Sequence, residues 1–547
     1  MDHMGEGEAG AFRAAGAAND NKHKWWVLVA MVFGLFMPML DSLVVNVALP
    51  TIHRELGANV SDLQWIIDAY TLTFASFMLS GGALADRFGR KKFFILGLAV
   101  FTTGSLLCGL SANINELIAF RAFQGAGGSL LLPGSLAIIS STFQGRERGA
   151  AIGIWSAMSG VAVAVGPLIG GYLVQHVSWQ SIFFINVPVG VVAVVLTWFV
   201  VSDSRDTSGA RGIDPPGAVT GTLALFFFVY ATIEGNSKGW TSPLILGSFA
   251  LAAALIALFL WVEAHSDAPM LPLRLFSNAT LSAAIGTAVS LFFALFGMTF
   301  FLSLYLQNVR GYDPVATGVR MVPFTVMILL IAPVSGRLSD RFGSRWVMAA
   351  GTAVLAGGLA LSLRMQVSSS YLGVILPAML AMGAGMALTM SPLSSAVMSS
   401  APPRLAGAAS ATQTTSQQVG GVFGVAVLGA VVTGAFKSGF PSSLARAGVP
   451  PAMVGPVSSR LGAASSSGSV PAAALRALPH AARAPVVAAV HQSFVGALHD
   501  GLYVSIAFAL LASLIAAVFV RTHVHSGPAT GGAAGEAQRA EGAVIGA

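Results

Sequence analysis

Gly82-Ala-Leu84-Ala-Asp86-Arg87-Phe88-Gly89-Arg90 is matched, 254 residues further on, by Gly336-Arg-Leu338-Ser-Asp340-Arg341-Phe342-Gly343. Each copy ends one long apolar run and opens another. Each is therefore a tight turn between two helices, with glycine supplying the turn geometry. Similarity at this distance signals a duplicated architecture rather than a local element. Eight apolar runs separate the copies, and an even number of crossings puts both turns on one side.

The composition says what is crossed. Of 547 residues, 55% are hydrophobic and 9% charged, against about 25% charged in soluble domains. The 29 Lys/Arg and 22 Asp/Glu are too few to cover a soluble chain of this length. The apolar runs are continuous rather than alternating, which predicts transmembrane helices and not a strand barrel. Fourteen spans are expected, at 25–49, 64–85, 93–111, 116–140, 150–174, 182–202, 215–234, 243–263, 280–306, 315–336, 346–363, 371–393, 405–433 and 500–521. Residues 1–24 and 522–547 are expected as disordered cytoplasmic tails. Residues 434–499, rich in Ala, Ser, Pro and Gly, are expected as a long, disordered extracytoplasmic loop in which 471–495 has the makings of a short surface helix.

Basic residues orient such a chain. Eighteen of the 29 Lys/Arg fall on the side of the termini and nine on the other, five of those nine in the 434–499 loop. Both termini are expected in the cytoplasm, and the protein in the cytoplasmic membrane as a multi-pass chain. The net charge of +7 reports this loop asymmetry, not nucleic-acid binding. Cys108, the only cysteine, lies in an apolar run and can form neither an internal disulfide nor a thiolate metal site. None of the ten histidines falls mid-span, and no metal-ligand cluster, phosphate loop or nucleophile triad is present. An enzyme is not expected, nor any metal or other cofactor.

Parallel repeats of this kind build secondary transporters whose halves rock about a midplane site. The turn at 82–90 resembles the signature between the second and third helices of the major facilitator superfamily. Leu40-Asp41-Ser-Leu-Val-Val-Asn46-Val-Ala-Leu-Pro50 resembles the first-helix signature of its fourteen-spanner drug:proton antiporters. Arg121-Ala-Phe-Gln124-Gly125-Ala-Gly127 resembles the fourth-helix arginine motif, and Gly166-Pro167-Leu-Ile-Gly170-Gly171 the fifth-helix antiporter motif. Phe184-Ile-Asn186-Val-Pro188-Val-Gly190 and Tyr305-Leu-Gln307 fit as well. Ala162, Gln180 and Ser344 depart from the usual pattern.

The resemblance implies a major facilitator fold: a six-helix bundle at 25–202, two additional transmembrane helices at 203–265, and a second six-helix bundle at 266–521. It implies proton-driven export of small drug-like compounds by alternating access, with the proton gradient as the energy source and a monomer in the bilayer. A dedicated exporter of one natural product would share every motif. A non-transporting receptor is disfavoured by the paired turns. The resemblance assigns gating to Gly82, Asp86, Arg87, Gly89, Arg90, Asp340 and Arg341. Asp86 would contact a helix N-terminus near Arg404–Gly407. A proton seal between halves falls to Gly166, Pro167, Gly170 and Gly171.

The residues themselves supply the coupling candidates. Only Asp41 and Asp68 among the 22 carboxylates lie well inside spans. At 1.5 Å per residue, both lie in the outer half, level with Arg121. Embedded ionisable groups are costly and mark ion or substrate paths. Asp41 or Asp68 is therefore expected to exchange a proton for substrate, with Arg121 tuning it. Phe292, Phe293 and Phe296 on the ninth span, with Gln413, Gln417 and Gln418 on the thirteenth, are the candidate substrate contacts.

Overall fold

The computed structural model describes residues 5–202, 214–266, 269, 271, 273–402, 405–462 and 465–521, and within the helices it leaves some side chains undescribed, those of Gly82, Asp86 and Arg87 among them. Among the described residues there are helices and turns and no strand. The N-terminal half comprises α1 (Gly5–Leu56), α2 (Val60–Phe88), α3 (Arg90–Leu110), α4 (Ile114–Thr142), α5 (Gly145–His176), α6 (Ser181–Phe184) and α7 (Asn186–Val200). Helices α8 (Pro215–Lys238) and α9 (Pro243–His265) follow as an inserted pair. The C-terminal half comprises α10 (Ala279–Leu304), α11 (Pro314–Phe342), α12 (Ser344–Ser362), α13 (Leu376–Ser400), α14 (Ala406–Arg446), the short α15 (Pro451–Leu461) and α16 (Ala472–Ala477), and α17 (His480–Phe519). Twelve helices among the described residues are long and apolar enough to cross a membrane. Helices α2 and α5, 29 and 32 residues long, are not among the twelve.

The repeated turn is built as its sequence demands. A single glycine joins each helix pair: Gly89, with φ +121°, between α2 and α3, and Gly343, with φ +81°, between α11 and α12. A side chain at either φ would be strained. The pairing of helices repeats too. Helix α2 packs on α4 as α11 packs on α13, α3 on α4 as α12 on α13, and α1 on α5 as α10 on α14. The halves meet along two seams, α2 with α14 and α5 with α11. Between the halves, Ser303 Oγ donates to Asn46 O at 2.6 Å, level along two parallel helices. At the start of α10, Arg521 N donates to Thr280 Oγ1 at 3.1 Å. The starts of α1 and α10 and the end of α17 therefore share one face of the bundle, here the terminal end; the opposite face is the distal end.

Hydrophobic packing differs between these ends. At the distal end one core is common to both halves, uniting Val44, Leu49 and Leu63 with Leu291, Leu304, Val425 and Leu428. At the terminal end each half keeps its own core, around Met31, Phe94 and Ile138 in one and around Leu281, Met348 and Val397 in the other. Among the described residues, the hydrogen bonds joining the halves are all distal: Gln64 to α14, Asn46 and Val47 to the end of α10, Gln175 to α11, and His53 to the loop before α16. Among the described residues the halves are therefore joined distally, and at the terminal end their cores are separate.

Two expectations are revised. The segment 434–499 is not a disordered loop. Helices α14 and α17 are 41 and 40 residues long, roughly twice what a bilayer core requires, and they carry the chain well past the distal face. Between them, Val449, Val457 and Leu461 join the shared core. The apolar positions that bury there are spaced among so many small residues that the composition reads as a linker. The N-terminal tail also differs: α1 is helical from Gly5, where Ala-rich sequence of high helix propensity continues into an already formed helix.

Candidate functional site

The central polar cluster of the N-terminal half lies where α1, α2, α3, α4 and α7 converge. Close approach makes it possible. A Cβ on Gly125 would strike the Tyr70 carbonyl, and one on Gly104 would lie 2.7 Å from Gln124 Cα; no larger residue fits between these helices. Arg121 is thereby drawn into the interior, 1% exposed. Its Nη1 donates to Asp41 Oδ2 at 2.5 Å and to Gln124 Oε1 at 2.8 Å. Its Nε donates to Ile66 O at 3.1 Å, and its guanidinium lies 4.1 Å from the centre of the Tyr70 ring.

Asp41 accepts from two further donors: Gln124 Nε2 at 3.0 Å and Asn186 Nδ2 at 3.3 Å, both on Oδ1. Asn186 also donates to Ser105 Oγ at 3.1 Å, and Ser105 Oγ donates to Phe183 O at 2.9 Å. Every group around Asp41 is thus a donor held in place by another partner. An ionised carboxylate is acceptor-only and matches that arrangement. Desolvating two charges is offset only when hydrogen bonds accompany the pairing; here both Asp41 oxygens accept, and Arg121 donates from Nε and Nη1.

Asp68 was expected to join this group and does not. Arg121 reaches the α2 backbone at Ile66 instead. Asp68 is fully buried, and neither carboxylate oxygen has a hydrogen-bond partner. It lies one turn along α2 from Gln64, hence on the same helix face. Gln64 Nε2 donates to Val425 O at 2.8 Å across the α2–α14 seam and fills a slot that only a glycine at 429 leaves open. Asp68 therefore lies one turn inward of the Gln64 contact, on the face of α2 that carries it.

The fifth-helix glycines make the other seam. A Cβ on Gly171 would strike Pro314 O, and one on Gly318 would strike Pro167 O, so α5 and α11 touch backbone to backbone. Gly166 and Gly170 face α1, where a Cβ would lie 3.0 Å from Leu43 and 3.1 Å from Val44. Among the described residues the inserted pair packs on the α2–α14 seam: Phe228 packs on Phe423 with ring centres 4.7 Å apart, and Lys437 Nζ donates to Asn236 O at 2.7 Å.

The remaining candidates are divided. Phe293 stacks on Phe508 of α17 at 3.8 Å between centres, which makes it core packing of the C-terminal half. Phe292 and Phe296 pack against each other, 5.6 Å apart. Gln413 Nε2 donates to Ser394 Oγ at 2.9 Å, tying α14 to α13, and Gln417 is half-buried on the same helix. Asp340 borders a small polar cavity with Ser339, Ser344, Ser395, Ser399 and Arg521. Arg341 lies over Phe342, 5.3 Å from its ring centre. The contact expected of Asp86 with Arg404–Gly407 lies outside the described residues, as do the side chains of Gly82 and Arg87. Sequence reasoning assigned no role to Gln64, Tyr70, Ser105 or His53. Their signal was present as uncharged polar side chains in or beside long apolar spans.

The fold and these motifs have close counterparts. The Major Facilitator Superfamily profile matches residues 31–425. The chain is 37% identical over 428 residues to the multidrug resistance protein Stp of Mycobacterium tuberculosis (strain CDC 1551 / Oshkosh), covering 78% of this chain and 79% of that protein. It is 36% identical over 493 residues to the tetracenomycin C resistance and export protein of Streptomyces glaucescens, covering 90% and 91%. It is 38% identical over 412 residues to the methylenomycin A resistance protein of Bacillus subtilis (strain 168), covering 74% and 87%. Among solved structures it resembles a bacterial homolog of the human lysosomal transporter Spinster, at TM-score 0.60 and 17% identity over 93% of this chain and 99% of that one. By sequence and by fold, the chain is a member of the Major Facilitator Superfamily, a multi-pass transporter of the cell membrane and not an enzyme.

Proposed function

We propose that this protein exports small drug-like compounds from the cytoplasm in exchange for protons, by alternating exposure of a site between its two halves. The observation that carries the reading is the contrast between the two embedded carboxylates. Asp41 is saturated by Arg121, Gln124 and Asn186, while Asp68 is buried without a partner. An ionised carboxylate in that position is very costly, so Asp68 carries the exchanged proton and Asp41–Arg121 is the fixed polar frame beside it. Distal opening uncovers Asp68, because it lies beneath the Gln64 closure. Distal closure with a parted terminal end is one of the two states such a cycle needs.

Further parts of the reading follow from the same features. The chain has fourteen spans, with α2 and α5 added to the twelve apolar helices; at 1.5 Å per residue they are about 44 and 48 Å long and pack among spanning neighbours. The termini are cytoplasmic, since Arg90, Lys91, Lys92, Arg148, Arg274, Arg341 and Arg345 gather at the terminal end. The distal closure then faces outward. The relatives include proteins named for many drugs and proteins named for single antibiotics, so a self-resistance exporter of one natural product is the second reading. The test is efflux from proteoliposomes under an imposed pH gradient. Wild type is expected to drive uphill export and Asp68→Asn only downhill movement. Uphill export by Asp68→Asn at the wild-type rate refutes the assignment. Survival of expressing cells over a panel of unrelated antibiotics separates the broad from the dedicated exporter.

A further inference from the structure

We propose that the segment between α14 and α17 is a lid that locks the distal gate, with His53 as its catch; this rests on the alternating-exposure reading above. His53 stands at the end of α1, in the N-terminal half, and is 6% exposed. Its Nδ1 faces Ala58 O. A carbonyl only accepts, so Nδ1 carries the hydrogen and, in the neutral ring, Nε2 is left as an acceptor. Nε2 meets Ser469 Oγ at 2.7 Å and Ser467 Oγ at 3.0 Å. Both serines belong to the C-terminal half, between α15 and α16. Asn308 Nδ2 donates to Ser467 O at 2.9 Å, which pins the same turn to the end of α10.

The turn is shaped for this grip. Gly468, between the two serines, has φ +84° and lies against the Phe494 ring of α17. Ser465, Ser466 and Ser467 are all buried, unusual for a run of hydroxyls outside the bilayer. Val449, Val457 and Leu461 anchor the rest of the segment in the core shared by both halves. The lid is thus covalently part of one half and hydrogen-bonded to the other. Separation of the halves at the distal end has to break the His53 contacts, as it has to break those of Gln64, Ser303 and Gln307. Unlike those three, His53 holds a segment outside the helical bundle, so it locks the gate without lining the path.

Two measurements test this on the full-length protein in nanodiscs and proteoliposomes. The first uses Ile52→Cys, a buried position on α1, labelled by a water-soluble maleimide. Adding His53→Ala is expected to speed labelling roughly tenfold by shifting the gate toward its open state. Adding Ser467→Ala with Ser469→Ala is expected to act alike. Unchanged labelling in both overturns the proposal, and this readout is independent of any coupling ion. The second uses His53→Cys with Ser469→Cys, bridged by a short bis-methanethiosulfonate because the span once filled by the imidazole is too long for a direct disulfide. The cross-linked protein is expected to bind a fluorescent substrate yet lose efflux, and to regain it when the bridge is reduced; wild type, with buried Cys108, is the reagent control. Efflux by the cross-linked protein at the reduced rate overturns the lid. Absence of gradient-driven efflux from wild type overturns proton coupling instead and leaves the labelling result to judge the lid.

Discussion

Replacing Asp41 by asparagine and Asp68 by asparagine makes the same chemical change at two buried sites, with opposite consequences for the fold. Asp41 receives Arg121 Nη1 on one oxygen and the amides of Gln124 and Asn186 on the other. An asparagine can accept on one side only; its NH2 then faces either the guanidinium or two amide donors. The ion pair is lost and a buried donor is left facing a donor. Breaking a buried pair by removing one charge costs about 3–5 kcal/mol. Taking about 3 kcal/mol, the folded-to-unfolded ratio falls roughly a hundredfold. Asp68 has no partner to lose, and its replacement by a neutral isostere is expected to change stability by about 1 kcal/mol or less. The assay is a denaturation midpoint in mild detergent, followed by pH-gradient-driven efflux for each variant that folds. Asp41→Asn should unfold early, and Asp68→Asn should unfold like wild type yet lose coupling. An Asp41→Asn midpoint equal to that of wild type, or an Asp68→Asn midpoint lowered as far, refutes the division between frame and carrier.

The seams give further outcomes. Gly318→Ala puts a methyl against the Pro167 carbonyl, and such overpacking costs about 1–3 kcal/mol; a cysteine at Thr317, buried beside Gly318 on α11, should become markedly more reactive as α5 and α11 part. Gly429→Ala displaces the Gln64 amide from its slot. An unsatisfied buried amide costs about 1–3 kcal/mol, so distal labelling should rise, and to the level of Gln64→Ala, which lacks the bond altogether. Gly89→Ala and Gly343→Ala, at φ +121° and +81°, should each lower the midpoint by the equivalent of about 1–2 kcal/mol, measured by the same denaturation.

The membrane class, the duplication and the ends of most spans are legible in the residues alone, because they depend on composition, periodicity and turn chemistry within a few residues. Asp41, Asp68 and Arg121 stood out for the same reason: charge is rare in a chain with 9% charged residues. Depth along a helix could be counted, so the three were placed at one level. Azimuth around the helix could not, and folding alone turned Asp41 toward Arg121 and left Asp68 buried without a partner. The uncharged partners Gln124, Asn186, Ser105 and Gln64 were invisible as a network, since each bond joins residues far apart in the chain. Phe293 and Gln413 were chosen by type, and their use in packing depends on neighbours that type does not reveal. The order of the lid is hidden for a related reason. Its composition is that of a linker, and what orders it is burial against two halves that only meet once the bundle has closed.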